Sequence, residues 1–270
     1  MGTSQSSRGP VSGVPLVPPW VEDIPSEEPA PQGELPPDDK APRTELPLAP
    51  SRRFQATRLN VGRFAKSGDA DSMRRALGYY VQQGYGGNRT MTRRMGGTAR
   101  TAARLGQVLR RDPQVDLGAA RDAALASGKN AEVVLDAIVE AVRPVDGTQD
   151  AEAARHAIRD ALSDVLAEYP DADLLDLDDA QRQFVVQRYV ALDVFDRFRL
   201  DVEKSLHAHA PDPLTAVRRL SEVRDYVMET VAAAFRKVES TSATPTGADL
   251  AEITTKALAE TFSVFEGYVA

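Results

Sequence analysis

Apolar side chains recur at helical spacing through the C-terminal half of the chain. From residue 178 to residue 209, and again from residue 213 to residue 238, they step by three or four positions. This spacing lines one face of a helix that has 3.6 residues per turn. The pattern predicts two long helices, and their apolar stripes are Val185, Tyr189, Leu192, Phe195, Phe198, Val202 and Leu206, and Leu220, Val223, Val227, Val231, Phe235 and Val238.

Capping residues mark where these helices begin. Carboxylates cluster at 171–179, and Asp212 is followed by Pro213, a pairing typical of an N-cap and first helical position. Another apolar stripe, beginning after Gly247, predicts a last helix. Short connections make neighbouring helices antiparallel, so we expect an all-α, antiparallel helical bundle with almost no strand.

Helical patterns also fill residues 51–145. The spacing predicts helices from Met73 to Gly84, from Arg89 to Leu109, over 116–127 and over 130–142, with glycine-rich or proline-containing breaks between them. We therefore divide the folded part into a basic helical region, 51–145, and a C-terminal long-helix bundle, 146–270.

The first fifty residues differ in composition, since they hold 12 of the 18 prolines. Proline removes amide donors and disfavours helix, so residues 1–50 are expected to form a long, disordered, Pro-rich acidic tail. One piece, Val14–Val21, places Trp20 among prolines and aliphatic residues, which suits an extended docking peptide. Its partner could be another protein or the chain's own bundle.

Charge is segregated along the chain, although the formal net charge is only −7. Residues 51–111 carry 14 Lys or Arg against 2 Asp or Glu, and both flanking regions are acidic. A block this basic can face a polyanion or dock on acidic parts of its own chain. There is no cysteine, signal peptide or membrane-spanning run in the sequence, so we expect a cytoplasmic protein with no membrane partner.

Arginines align on one side of the predicted 89–109 helix. Arg89, Arg93, Arg100 and Arg104 step by 4, 7 and 4 residues, and Arg94 lies beside them. Guanidinium groups suit phosphate, so these five residues form a candidate nucleic-acid-binding surface. In that alternative the chain is an adaptor that delivers a nuclease or ATPase to DNA.

The sequence offers no catalytic motif. His207 and His209 are two positions apart on a predicted helix, which places them on different faces and disfavours a shared metal. There is no nucleophile motif, phosphate loop or dinucleotide fingerprint. We expect a protein that is not an enzyme, with no catalytic residue, no metal and no bound cofactor.

Gly2 is the most reactive feature of the N-terminal region. Removal of Met1 would expose an unhindered primary amine with a pKa of about 7.7 to 8.0, so part of it is neutral near pH 7 and can attack an activated acyl group. Gly2 with Ser6 also matches the N-myristoylation pattern, which belongs to eukaryotic cells.

Several segments together resemble one known family. They are the Met1–Ser4 start, the early Gly9-Pro10, the Pro15–Trp20 peptide, the Arg/Gly-rich stretch 86–109, and Val194–Arg197 on a long helix. In these the chain resembles the QatB family, the B components of the bacterial Qat antiphage defence systems.

The resemblance implies a function for Gly2. Qat systems also encode an ATPase, a TatD-like nuclease and a homologue of QueC, an enzyme that adenylates a 7-deazaguanine carboxylate before an amine attacks it. We expect a QueC-like ligase of the QatC type to join that acid to Gly2, leaving a covalent deazaguanine on the chain. Thr3, Ser4, Gly9, Pro10 and Trp20 are the expected ligase-recognition residues.

Overall fold

The computed structural model describes residues 15–17, 48–110, 131–145, 149–240 and 247–270. Within these ranges the chain is helical, with one isolated antiparallel bridge between Pro15 and Leu48 and no strand, so the all-α prediction is confirmed. The helices are α1 (Gln55–Ser67), α2 (Ala70–Tyr79) with a π-helical turn at Tyr80–Gly84, α3 (Asn88–Arg94), α4 (Gly96–Leu109), α5 (Ala131–Val142), α6 (Gln149–Glu168), α7 (Asp179–His209), α8 (Pro213–Glu239) and α9 (Gly247–Glu266). The helix predicted over 116–127 lies outside the described residues.

The predicted N-cap residues are found at the N-termini of the two long helices. The Asp178 carboxylate accepts a hydrogen bond from the backbone N–H of Gln181, whose side chain accepts from the N–H of Asp178, a complete capping box at the start of α7. At α8, Asp212 accepts from the backbone and hydroxyl of Thr215. Local sequence alone therefore fixes where these helices begin.

The apolar stripes of the long helices form the core. Helix α7 is central: α6, α8, α1 and α4 all pack against it. Helix α9 packs on α8, α4, α3 and α2. Every stripe residue predicted on α7 is buried, and the largest fully buried side chains in the described ranges include Tyr189, Phe198, Phe235, Phe262 and Phe265. The basic region and the acidic C-terminal region share this one core.

The predicted single helix over Arg89–Leu109 is wrong in one respect. It is two helices, α3 and α4, because the backbone leaves helical geometry at Met95 (φ −86°, ψ 12°). Gly96 and Gly97 follow at once, and glycine has a low helix propensity. The break means that Arg89 and Arg93 lie on a different helix from Arg100 and Arg104, so the four do not share one continuous helical face.

None of the helices in the described ranges has the length and apolar composition needed to cross a lipid bilayer.

Candidate functional site

Residues Pro15–Val17 lie against the helical bundle. Pro15 forms the antiparallel bridge with Leu48, and the Leu16 and Val17 side chains are 2% and 1% exposed. Nη1 of Arg94 donates a hydrogen bond to the Leu16 carbonyl oxygen at 3.0 Å. We call this segment, with its contacts to Leu48 and Arg94, the clip. Full burial of each aliphatic side chain stabilises the contact by about 1.5 to 3 kcal/mol.

A local departure from α-helix makes room for the clip. The π-helical turn ends at Gly84, and Gly86 and Gly87 follow with φ angles of 75° and 99°, a region that favours glycine. A Cβ on Gly86 would stand 3.0 Å from Cδ1 of Leu16. The glycine-rich break noted in the sequence is therefore the part of the bundle against which Leu16 packs.

A buried polar cluster lies behind this loop. The hydroxyls of Tyr80 and Tyr85 both donate to Oδ2 of Asp201 on α7, at 3.0 and 3.1 Å. Burial raises the pKa of Tyr80 well above its usual range and raises the pKa of Tyr85. Burial also raises the pKa of Asp201, and the two tyrosine hydrogen bonds oppose that rise. We call Tyr80, Tyr85 and Asp201 the tyrosine–aspartate cluster.

Two guanidinium groups connect this cluster to its surroundings. The Arg53 guanidinium carbon lies 4.5 Å from the Phe54 ring centroid and 5.2 Å from that of Tyr85, and burial lowers the pKa of Arg53. The Arg94 guanidinium lies 5.4 Å from the Tyr85 ring centroid. Arg94 thus contacts the cluster through Tyr85 and the clip through Leu16. Cation–π contacts of this kind hold the guanidinium in place.

The five arginines of the predicted nucleic-acid surface have different environments. Arg94 donates a hydrogen bond to the Leu16 carbonyl oxygen of the clip. Nε of Arg104 donates to the Ala141 carbonyl at the C-terminal end of α5, at 3.0 Å. Arg93 is half-buried and has an interaction partner. Arg89 and Arg100 are exposed and have no ion pair within the described part of the chain. Only some of the predicted surface is therefore open to a polyanion.

The residues proposed for modification and ligase recognition, Gly2, Thr3, Ser4, Gly9, Pro10 and Trp20, lie outside the described residues. In the sequence, the described residues that lie nearest to them are Pro15–Val17 of the clip.

A second polar contact joins α4 to α7. The Thr98 hydroxyl donates to the buried Asp193 carboxylate at 2.5 Å, and Nε of Arg197 is 3.4 Å from the same oxygen. Val194 and Phe195 between them are buried. The Val194–Arg197 motif that carried the family resemblance therefore belongs to the contact between these helices.

Sequence reasoning did not identify Tyr80, Tyr85 or Asp201. The one signal for them was Asp201 itself, a carboxylate between Phe198 and Val202 of the apolar stripe. Elsewhere in the described ranges no group of three His, Asp or Glu side chains is placed to hold a metal ion, and His207 and His209 are exposed.

The fold and the clip define a class: an all-α scaffold that holds a short N-terminal segment of its own chain against its surface. The family model described as Qat anti-phage system associated protein QatB matches residues 86–265, about two thirds of the chain. The chain belongs to the QatB family. It is therefore a component of an antiphage defence system, and other components of that system are its partners. No curated protein and no solved structure matches the chain.

Proposed function

We propose that this chain is a non-catalytic component of the Qat system and that its Gly2 amine is the acceptor for a 7-deazaguanine. A QueC-like ligase performs the conjugation, in the cytoplasm where ATP is supplied. The clip is the observation that carries this proposal, because it places residues 15–17 against the bundle, and Gly2 precedes Pro15 by 13 positions.

The chemistry needs only an amine from this chain. The ligase joins the deazaguanine carboxylate to AMP from ATP and releases pyrophosphate. The neutral Gly2 nitrogen then attacks the acyl carbon, a C–N bond forms, the C–O bond to AMP breaks, and the nitrogen loses one proton. With a pKa of about 7.7 to 8.0, an N-terminal amine supplies enough of the neutral form near pH 7.

Distance along the chain agrees with this role. Gly2 precedes Pro15 by 13 positions, so at 3.3 to 3.6 Å per residue the amine reaches at most about 45 Å from the clip. Thr3 and Ser4 would make small polar contacts in the ligase pocket, and Gly9 and Pro10 would let the chain enter it extended. Trp20 is three residues from Val17, within about 10 Å, so a ligase bound near the clip can contact it.

The nucleic-acid adaptor is the weaker candidate. Of its five arginines, Arg94 and Arg104 already donate hydrogen bonds to carbonyl oxygens of the chain. Phosphate binding would have to depend on Arg89, Arg100 and Arg93. The logarithm of such an affinity would fall with the logarithm of the salt concentration, with a slope of about one unit for each phosphate bound. An affinity for duplex DNA that hardly changes with salt therefore argues against this mechanism.

Reconstitution tests the proposed function directly. We expect purified chain, the ligase, ATP and the deazaguanine acid to give a product heavier by the acid less one water, located on the Gly2 peptide. A Gly2→Pro variant has a hindered secondary amine and should stay unmodified while its helical circular dichroism is unchanged. Unmodified wild type, or a modified Gly2→Pro variant, would exclude Gly2 as the acceptor. The AMP-forming ATPase activity should depend on the ligase and be absent from the chain alone.

A further inference from the structure

Arg53 is a buried cation whose side chain donates no hydrogen bond within the described ranges. The residue is 7% exposed, it forms no ion pair with the described residues, and its Nε is buried without a partner. Its guanidinium carbon contacts aromatic rings instead, 4.5 Å from the Phe54 centroid and 5.2 Å from the Tyr85 centroid. A guanidinium carries five N–H donors, and burying its charge is costly unless it is paired. Arg53 is therefore equipped to bind an anion.

A second guanidinium lies beside the same ring. The guanidinium carbon of Arg94 is 5.4 Å from the Tyr85 centroid, and its Nη1 donates to the Leu16 carbonyl oxygen of the clip at 3.0 Å. Nε of Arg94 is buried without a partner among the described residues. Burial is the main cause that lowers the pKa of Arg53, and the nearby positive charge of Arg94 lowers it further. We call Arg53 and Arg94 the arginine pair, because both guanidiniums contact Tyr85 and both retain a buried donor.

The carboxylate of Asp201 does not neutralise the arginine pair. Its charge raises the pKa of Arg53, but Asp201 forms no ion pair with either arginine. Its Oδ2 accepts instead from the two hydroxyls of the tyrosine–aspartate cluster. Arg58 adds a further positive charge, since its guanidinium carbon lies 5.9 Å from the Phe54 centroid. Asp201 offsets one of these three guanidinium charges, so the local excess of positive charge favours an anion.

The backbone just before Arg53 has an unfavourable conformation. Arg52 has a φ of 57°, and it is the one non-glycine residue with positive φ in the described ranges. The turn continues into α1, because the backbone N–H of Gln55 donates to the Arg52 carbonyl oxygen at 2.8 Å. It leaves Arg52 exposed and Arg53 buried against the rings. Left-handed backbone is unfavourable for a residue with a Cβ, and ligand-binding sites are among the places that retain it.

We propose that the arginine pair binds a phosphate group, either as inorganic phosphate or as the phosphate of a mononucleotide. A phosphate group carries about 1.5 to 2 negative charges at pH 7 and several acceptor oxygens, so it can pair with two guanidiniums at once, whereas a carboxylate matches one. Arg53 and Nε of Arg94 donate to the phosphate, while Nη1 of Arg94 keeps its hydrogen bond to Leu16. Phosphate binding is therefore compatible with the clip, and it does not depend on conjugation of Gly2.

Isothermal titration calorimetry of the full-length chain with inorganic phosphate, at constant ionic strength, tests this site. We expect saturable binding of one phosphate by wild type. Arg53→Met and Arg94→Met each remove hydrogen bonds between charged groups, so each should weaken binding about 10- to 150-fold. The matched control is Arg89→Met, which removes the same charge from an exposed arginine that has no ion pair in the described part of the chain, and it should bind like wild type. No saturable binding by wild type, or equal weakening in all three variants, would overturn the inference.

Thermal unfolding separates phosphate binding from a structural role of Arg53. Without phosphate we expect Arg53→Met to melt at or above the Tm of wild type, because the substitution replaces an unpaired buried charge with an apolar side chain of similar length. Phosphate at a hundredfold excess over its Kd should raise the Tm of wild type by about 5 to 11 °C, and that of Arg53→Met much less. A variant that melts well below wild type without phosphate, yet gains the same Tm from phosphate, would show that Arg53 is structural and would contradict the proposal.

Titration with AMP and with adenosine identifies the source of the phosphate group. Tighter binding of AMP than of inorganic phosphate assigns the site to a nucleotide, and the reverse order assigns it to the free ion. In both cases Arg53→Met should lose the binding. Adenosine lacks the phosphate and should not bind. Adenosine binding as tight as that of AMP would show that the arginine pair does not recognise phosphate, and the inference would be wrong.

Discussion

The tyrosine–aspartate cluster makes a sharp prediction for Tyr80→Phe. The Tyr80 hydroxyl is buried and donates to Asp201 at 3.0 Å, and Tyr85 supplies the second donor to the same oxygen. Removing the Tyr80 hydroxyl leaves a largely buried carboxylate with one tyrosine donor. The substitution keeps the ring, so the contact between Tyr80 and Phe198, whose ring centroids are 5.0 Å apart, is retained.

The magnitude follows from the charge of the acceptor. A hydrogen bond to an ionised group contributes about 1.5 to 3 kcal/mol, against about 0.5 to 1.5 kcal/mol between neutral groups. At pH 7 we therefore expect the free energy of unfolding to fall by about 1.5 to 3 kcal/mol. For a domain of 150 to 250 residues this lowers Tm by roughly 3 to 12 °C.

The ionisation of Asp201 determines how the destabilisation caused by Tyr80→Phe changes with pH. Burial raises the pKa of Asp201 in the folded state, and the Tyr80 hydrogen bond opposes the rise, so this pKa is higher still in the variant. The destabilisation of the variant is therefore greatest when Asp201 is ionised. It should shrink as the pH falls through the raised pKa, because the carboxyl group then becomes neutral in both proteins.

Thermal unfolding followed by far-ultraviolet circular dichroism, at pH 7 and near pH 4, measures both effects. The matched control is Tyr79→Phe, the same change one residue earlier, because Tyr79 is half-buried and its hydroxyl makes no hydrogen bond within the described ranges. A Tyr80→Phe variant as stable as Tyr79→Phe would refute the reasoning, as would a stability difference that does not change with pH.

Two further predictions concern packing and capping. A Cβ on Gly78 would stand 2.8 Å from the Phe265 carbonyl oxygen, so Gly78→Ala should lower the free energy of unfolding by about 1 to 3 kcal/mol, less a helix-propensity gain of about 1. Gly97, with no atom within 4 Å of its would-be Cβ, is the control, and Gly97→Ala should not destabilise. Asp212→Ala should lower Tm at pH 7, because hydrogen bonds from Thr215 hold the pKa of Asp212 below its usual value; the deficit should shrink as the pH falls through that lowered pKa.

Urea unfolding and thermal unfolding check these predictions. Equal destabilisation by Gly78→Ala and Gly97→Ala would show that the nearby Phe265 carbonyl oxygen does not exclude a side chain at position 78. An Asp212→Ala deficit that persists unchanged in acid would show that the carboxylate is not what caps α8.

The long helices could be predicted because their determinants are local. The stripe on α7 and the caps at Asp178 and Asp212 lie within a few residues of the positions they control. Helix α6 was not predicted, because much of its buried face is alanine, including Ala154, Ala157 and Ala161, which gives a weak hydrophobic signal. The break at Met95 was missed because helical periodicity continues across it.

The site could be predicted only in part, because it depends on contacts distant in sequence. Tyr80 and Asp201 are 121 residues apart, and no periodicity relates them. Leu16 and Val17 lie in a segment whose composition indicates a docking peptide, but composition does not identify its partner. Leu16 packs against Gly86, which has a positive φ, and its carbonyl oxygen accepts a hydrogen bond from Arg94; both residues are at least 70 positions away in the sequence.

The most direct test of the account is the intact mass of this chain isolated from cells that carry the complete defence system, compared with cells that lack only the ligase. We predict a mass increase equal to the deazaguanine acid less one water, mapped to Gly2 and absent without the ligase. An unmodified Gly2 amine in the presence of the ligase and its acid, or the same added mass when the ligase is missing, would contradict it.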